Sequence, residues 1–147
     1  MFEIVLSPID AADIVKQFTN DSAGALSSFE GRVRDHHKGR PVKKLEYHVY
    51  KILAIKEGQR ILSEAREKFP IVDIKAVHRV GSLDIGETAI WIGALSAHRN
   101  DAFLACRYVI DNIKHRLPIW KKEFYVDGTV DWVGCTHQSK PEIKEDE

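Results

Sequence analysis

SAHRNDAFLACRYVIDNIKHRLPIWKKE, Ser96 to Glu123, is the stretch around which the rest of the chain arranges itself. Phe103, Cys106, Val109, Ile110, Ile113 and Leu117 recur at helical spacing, which predicts an amphipathic helix with Asn100 and Asp101 in its first turn. Pro118 stops that helix, since proline has no N–H to donate and clashes with the preceding turn. Ile119 to Val126 then alternates as a strand, with Ile119, Lys121 and Glu123 on one face and Trp120, Lys122 and Phe124 on the other. Basic side chains bracket the unit: His98 and Arg99 at the helix start, Lys114, His115 and Arg116 at its end, Lys121 and Lys122 beyond the proline. A helix N-terminus has unpaired N–H groups and the positive end of the dipole, so His98 and Arg99 there suggest an anion site. The three at the far end complement the negative end of the dipole, by about 0.3–1 kcal/mol each when exposed, and need no ligand to explain them.

The chain as a whole carries no such bias. Its 22 Lys and Arg balance 22 Asp and Glu over 147 residues. Bulk attraction to a polyanion is therefore not expected, and nucleic acid is not an expected partner. With 44% hydrophobic and 30% charged residues, one domain with one core is expected. The N-terminus lacks a basic leader, and no apolar run approaches the roughly 20 residues a membrane span needs, so a cytoplasmic location with no membrane contact is expected. Cys106 lies in the helical stripe and reads as a small core residue. Cys135 and His137 have no companions at metal-ligand spacing, and neither a metal nor a cofactor is expected.

Upstream, Phe2 to Leu6 reads as a strand, followed by a helix capped by Ser7 with Pro8 at its first position and Ala11, Ile14, Val15 and Phe18 on one face. Gly24 to Arg34 is a strand in which Arg32 and Arg34, two apart, share a side. It is expected to pair as a hairpin with Val42 to Tyr50 through the polar loop Asp35–Pro41. His36 and His37 in that loop diverge and fit a solvated turn better than a metal site. A helix follows from Lys51 to Phe69, with Ile52, Ile55, Ile61, Leu62 and Ala65 as its stripe and Gly58 weakening its middle. Ile71 to Val80 is a strand with His78 on its apolar face, read as a hydrogen-bonded core histidine. Gly81 to Gly86 is a loop or short excursion, and Glu87 to Leu95 a central strand. Asp127-Gly128 makes a tight turn into Thr129–Val133, and 138–147 is read as a polar, disordered tail after a domain covering 1–137.

Three groups now stand in order: Gly31-Arg32-Val33-Arg34, Ser96-Ala97-His98-Arg99, and Lys114 with Pro118-x-Trp120-Lys121-Lys122-Glu123. With Leu45-Glu46-Tyr47 and His78-Arg79-Val80-Gly81 between them, the chain resembles the large, catalytic subunit of molybdopterin synthase from about Gly24 to Trp132. The resemblance implies an α+β fold, a single-domain α/β sandwich with a hammerhead-like subdomain. It implies a homodimer at the centre of a heterotetramer, with a small ubiquitin-like sulfur-carrier subunit at each end. The carrier's C-terminal Gly-Gly thiocarboxylate would enter a pocket and pass sulfur, in two rounds, to cyclic pyranopterin monophosphate, making the dithiolene of molybdopterin. By the same resemblance Arg32, Val33, Arg34, His98, Arg99, Lys114, Lys121, Lys122 and Glu123 line or adjoin the substrate site, with Lys114 and Lys121 catalytic. The chemistry suits a phosphorylated substrate, because a guanidinium offers a fixed fork of donors to phosphate oxygens. The alternative is a non-catalytic phosphate- or nucleotide-binding module, which would use the same pocket and need no carrier.

Overall fold

The computed structural model describes residues 1–134. In chain order they form β1 (Phe2–Val5), α1 (Ala11–Gln17), β2 (Ala25–Arg32), β3 (His36–His37), β4 (Arg40–Val49) and α2 (Lys51–Lys68). These are followed by β5 (Ile71–Arg79), β6 (Gly81–Asp84), β7 (Thr88–Ser96), α3 (Arg99–Arg116), β8 (Ile119–Tyr125) and β9 (Val130–Gly134). Cys135, His137 and the tail from 138 lie outside the described residues. Among those described, no helix is long and apolar enough to cross a membrane.

Two sheets result. The first runs β1-β5-β7-β2, with β1 parallel to β5 and the other pairs antiparallel. Its inner strand β7 is buried from Ala89 to Ser96, as expected for an apolar strand covered on both sides. α2 and α3 cover one face, where Ile61, Leu62, Val109 and Ile113 pack on Ile74, Ala76 and Ile92. Across the sheet Phe18, at the end of α1, meets Trp91 edge to face at 5.9 Å. The second sheet runs β3-β4-β8-β9 with β6 also paired to β4, and encloses Val42, Leu45, Leu83 and Tyr125. The chain is thus a single α+β domain. Arg116 does more than complement a dipole: it reaches Glu57 and Glu64 of α2 at 2.6 and 2.7 Å and clasps the two long helices together.

Several expectations are corrected. β2 does not pair with β4; it pairs with β7, while β4 pairs with β6 and β8. The Asp35–Pro41 segment makes a smaller hairpin of its own. Lys38 and Gly39 have φ of 49° and 76°, the left-handed pair that a two-residue turn needs, and they fold His36–His37 back on Arg40–Pro41. β2 meanwhile leaves its sheet through a bulge between Gly31 and Arg32. Val33 then donates to the Glu87 carbonyl and accepts from Gly86, which carries Arg32–Arg34 across toward the second sheet. Gly81–Asp84, within the segment expected to be a loop or short excursion, is the strand β6. The first helix is capped by Asp10, which accepts from the Asp13 N–H, and not by Ser7. Phe103 and Ile52, placed in apolar stripes, are 60% and 87% exposed; the buried stripes use Ala102 and Ala105 in α3, and Ala54 and Gly58 in α2.

Gly58 therefore has a reason. A Cβ there would run into the ring of Phe2, so the glycine lets β1 lie against α2. Gly58→Val is expected to lower stability by about 1–3 kcal/mol through overpacking, read as a fall in the urea unfolding midpoint with an unchanged slope.

Candidate active site

The gap between the sheets holds a cavity of about 320 Å³. Arg32 and Arg34 enter it from the crossing segment, Lys114 from the last turn of α3, and Lys121 from β8. Local geometry brings the two lysines to one place. Leu117 closes α3 by donating to the Ile113 carbonyl, Tyr50 N–H takes the Pro118 carbonyl at 3.2 Å, and β8 starts at once. Pairing of β8 with β4 then sets Lys121 opposite Tyr47, which also lines the cavity. Ala89, Ile90, Ile113 and Ile119 complete an apolar floor. Gly31 sits at the rim, where a Cβ would come within 2.8 Å of the Ile90 side chain.

Charges in and around the cavity are tied down unequally. Arg32 pairs with Glu30 at 2.7 Å and is well exposed. Lys121 is 3.2 Å from Glu123, whose carboxylate is only 2% exposed and also accepts the Tyr125 hydroxyl at 2.6 Å. Next to that carboxylate, and buried, the Tyr125 hydroxyl is pushed up to about 12. His78, wholly inside, is pushed down to about 4 by burial, and further by the Lys114 charge, against the pull of its bond to the Arg79 carbonyl. A carbonyl can only accept, so the 2.8 Å contact at Nδ1 carries the proton and leaves Nε2 as the bare nitrogen of a neutral ring.

The remaining sequence-derived candidates do not line this cavity. Val33 is buried with Val42 and Leu45, and it shapes the site through its backbone. Lys122, on the other face of β8, sits over the rings of Phe124 and Trp132 at 5.2 and 5.7 Å. His98 caps α3 without a side-chain cap bond, and Arg99 begins it. That puts both near the far end of an 18-residue helix, about 27 Å long, from Lys114. His78 and Tyr47 line the cavity without standing out in the sequence as site residues. The signal was the polar ring on each apolar strand face, but a buried histidine is more often core than site.

A concave site with four cations, a neutral imidazole and an apolar floor suits a small anion joined to a flat ring system. The family model described as "MoaE protein" matches residues 4–116. The Bacillus subtilis protein named molybdopterin synthase catalytic subunit is 38% identical over 152 aligned positions, covering 99% of this chain and 96% of the relative. A crystal structure of molybdopterin synthase from Staphylococcus aureus superposes with a TM-score of 0.85 at 40% identity, covering 90% of this chain and 96% of that one. A chain from a complex of subunits 1 and 2 of molybdopterin-converting factor from Helicobacter pylori shares the fold, with a TM-score of 0.73 at 21% identity over 95% and 93% of the two chains.

Proposed function

Because the chain belongs to the MoaE protein family, we propose that it binds cyclic pyranopterin monophosphate in the four-cation cavity and there receives sulfur from a carrier's C-terminal thiocarboxylate. It is a sulfurtransferase of molybdenum cofactor biosynthesis, the catalytic subunit of a molybdopterin synthase. The observation that carries the site assignment is that Lys114 and Lys121, from either side of Pro118, line one cavity with Arg32 and Arg34. Two guanidinium groups suit the cyclic phosphate. Lys114 moves a proton or steadies charge where sulfur and carbon meet; Lys121 steadies the oxygen released as the cyclic phosphate opens. The apolar floor takes the pterin. A small-subunit partner is supported by the Helicobacter pylori complex, and a Gly-Gly tail is narrow enough to reach a cavity of this size.

His98 and Arg99 belong to this reading only if a second copy supplies them. β2 supports that arrangement. Among the described residues it pairs with β7 alone, so its outer edge is open, and exposed Leu26 and Phe29 lie along it. Ala25 is opposite Ser96, next to His98, whereas Arg32 is at the cavity. Antiparallel pairing of β2 with β2 of a second copy would bring His98 and Arg99 of one to Arg32 and Arg34 of the other. Sulfur transfer with thiocarboxylated carrier is the test of function: dithiolene product is expected, and a stand-alone binding module would form none. Shared sites have their own signature. Arg99→Ala and Lys114→Ala proteins, each nearly inactive, are expected to regain about a quarter of wild-type turnover when co-assembled, since half the dimers then hold one intact site of two. No recovery would sink the two-copy site.

A further inference from the structure

Lys121, Glu123 and Tyr125 occupy alternate positions of β8 and so share one face. The two oxygens of the Glu123 carboxylate serve different neighbours. Oε1 lies 3.2 Å from Lys121 Nζ, and Oε2 accepts the Tyr125 hydroxyl at 2.6 Å. A carboxylate gripped at one oxygen can turn about its terminal bond, but one gripped at both by fixed donors cannot. Tyr125 is such a fixed donor. It is 4% exposed, packed with Val33, Val42 and Leu45, and the Arg40 guanidinium covers its ring at 3.7 Å. Its hydroxyl keeps its proton throughout the neutral range. His37 approaches the same carboxylate from β3, yet its Nδ1 is 3.7 Å from Oε1 and makes no hydrogen bond, so it does not displace the lysine.

We infer that Tyr125 is a positioning residue for Lys121, acting through Glu123: its hydroxyl pins Oε2, which keeps Oε1 on the ammonium and the ammonium in the cavity. The inference deepens the function proposed above and rests on Lys121 acting in catalysis. Tyr125 is not part of the sequence pattern that pointed to the lysines, and it acts from two residues away, through Glu123 and Lys121.

Tyr125→Phe deletes the hydroxyl and keeps the ring beneath Arg40. In the synthase assembled with its carrier, kcat is expected to fall about tenfold with the KM for the carrier unchanged, the loss of one hydrogen bond to a charged group felt only in the reaction. The Lys121 ammonium ¹⁵N–¹H signal is read in parallel. It is expected to move toward that of a free lysine and to exchange faster with solvent, in the same direction as in Glu123→Gln and by less. Arg32, Arg34, Lys114 and neutral His78 face Lys121 in both proteins, so the difference isolates the carboxylate. An unmoved Lys121 signal overturns the inference, whatever turnover does. Normal turnover in Lys121→Ala would instead remove the catalytic reading, while the signal still decides whether Tyr125 positions the lysine.

Discussion

Lys114→Ala is expected to cut thiocarboxylate-dependent product formation by about 10²–10⁴-fold, the range for loss of a positioned proton donor or acceptor. Lys121→Ala should do the same. The two differ in what else they disturb. Lys114 is exposed at the helix end, so its removal should lower the urea midpoint by less than that of Lys121. Lys121 is half-buried against Glu123, and its removal strands a buried carboxylate. That variant is expected to lose stability as well as turnover, and Lys121→Ala combined with Glu123→Gln to regain part of the stability but none of the activity. Activity within tenfold of wild type in both single variants, with folding intact, would remove the assignment of the two lysines.

The second large effect is on stability against pH. His78 is buried and neutral, pushed down to about 4 from an ordinary 6.5. The unfolded chain therefore binds a proton here that the folded chain refuses, and stability falls wherever that difference exists. The contribution is present in full above about 6.5, declines as the pH falls, and is gone at about 4. The gap corresponds to about 3 kcal/mol. Urea unfolding of wild type between pH 7 and 4 should show this decline on top of that from other groups, and His78→Gln should show a shallower one. Equal slopes in the two proteins would mean that His78 takes its proton without unfolding.

How far the residues alone reached can be judged element by element. The helix from Arg99 and its stop at Pro118 were legible because periodicity and proline sterics act locally. The alternation of β8 was legible for the same reason, and with it the convergence of Lys114 and Lys121. Strand partners were not. The one local feature against β2 pairing with β4 is the turn at Lys38-Gly39, which consumes the loop in a hairpin of its own; that β2 pairs with β7 instead is a long-range property. β6 escaped because Leu83 is its one buried side chain. Glu123 was placed on the correct face, but its depth depends on Tyr125 and Lys121 enclosing it, a tertiary property. The grouping of His98 with the cavity rests on resemblance, since α3 holds His98 at the opposite end from Lys114.

The pairing of β1 with β5 sets an order of events for the growing chain. β1 is made first, but the strand it lies beside comes only after α1, β2, the small hairpin, β4 and α2. Phe2 must also wait for Gly58 of α2 to offer the gap its ring fills. Closing so long a loop is entropically late, and a parallel pair cannot be zipped from a turn. β1 is thus a late strand to settle in its sheet, as is β2, whose partner β7 is made later still. For that interval an apolar strand edge is open on β5, and the nascent chain is most exposed to pairing with its neighbours.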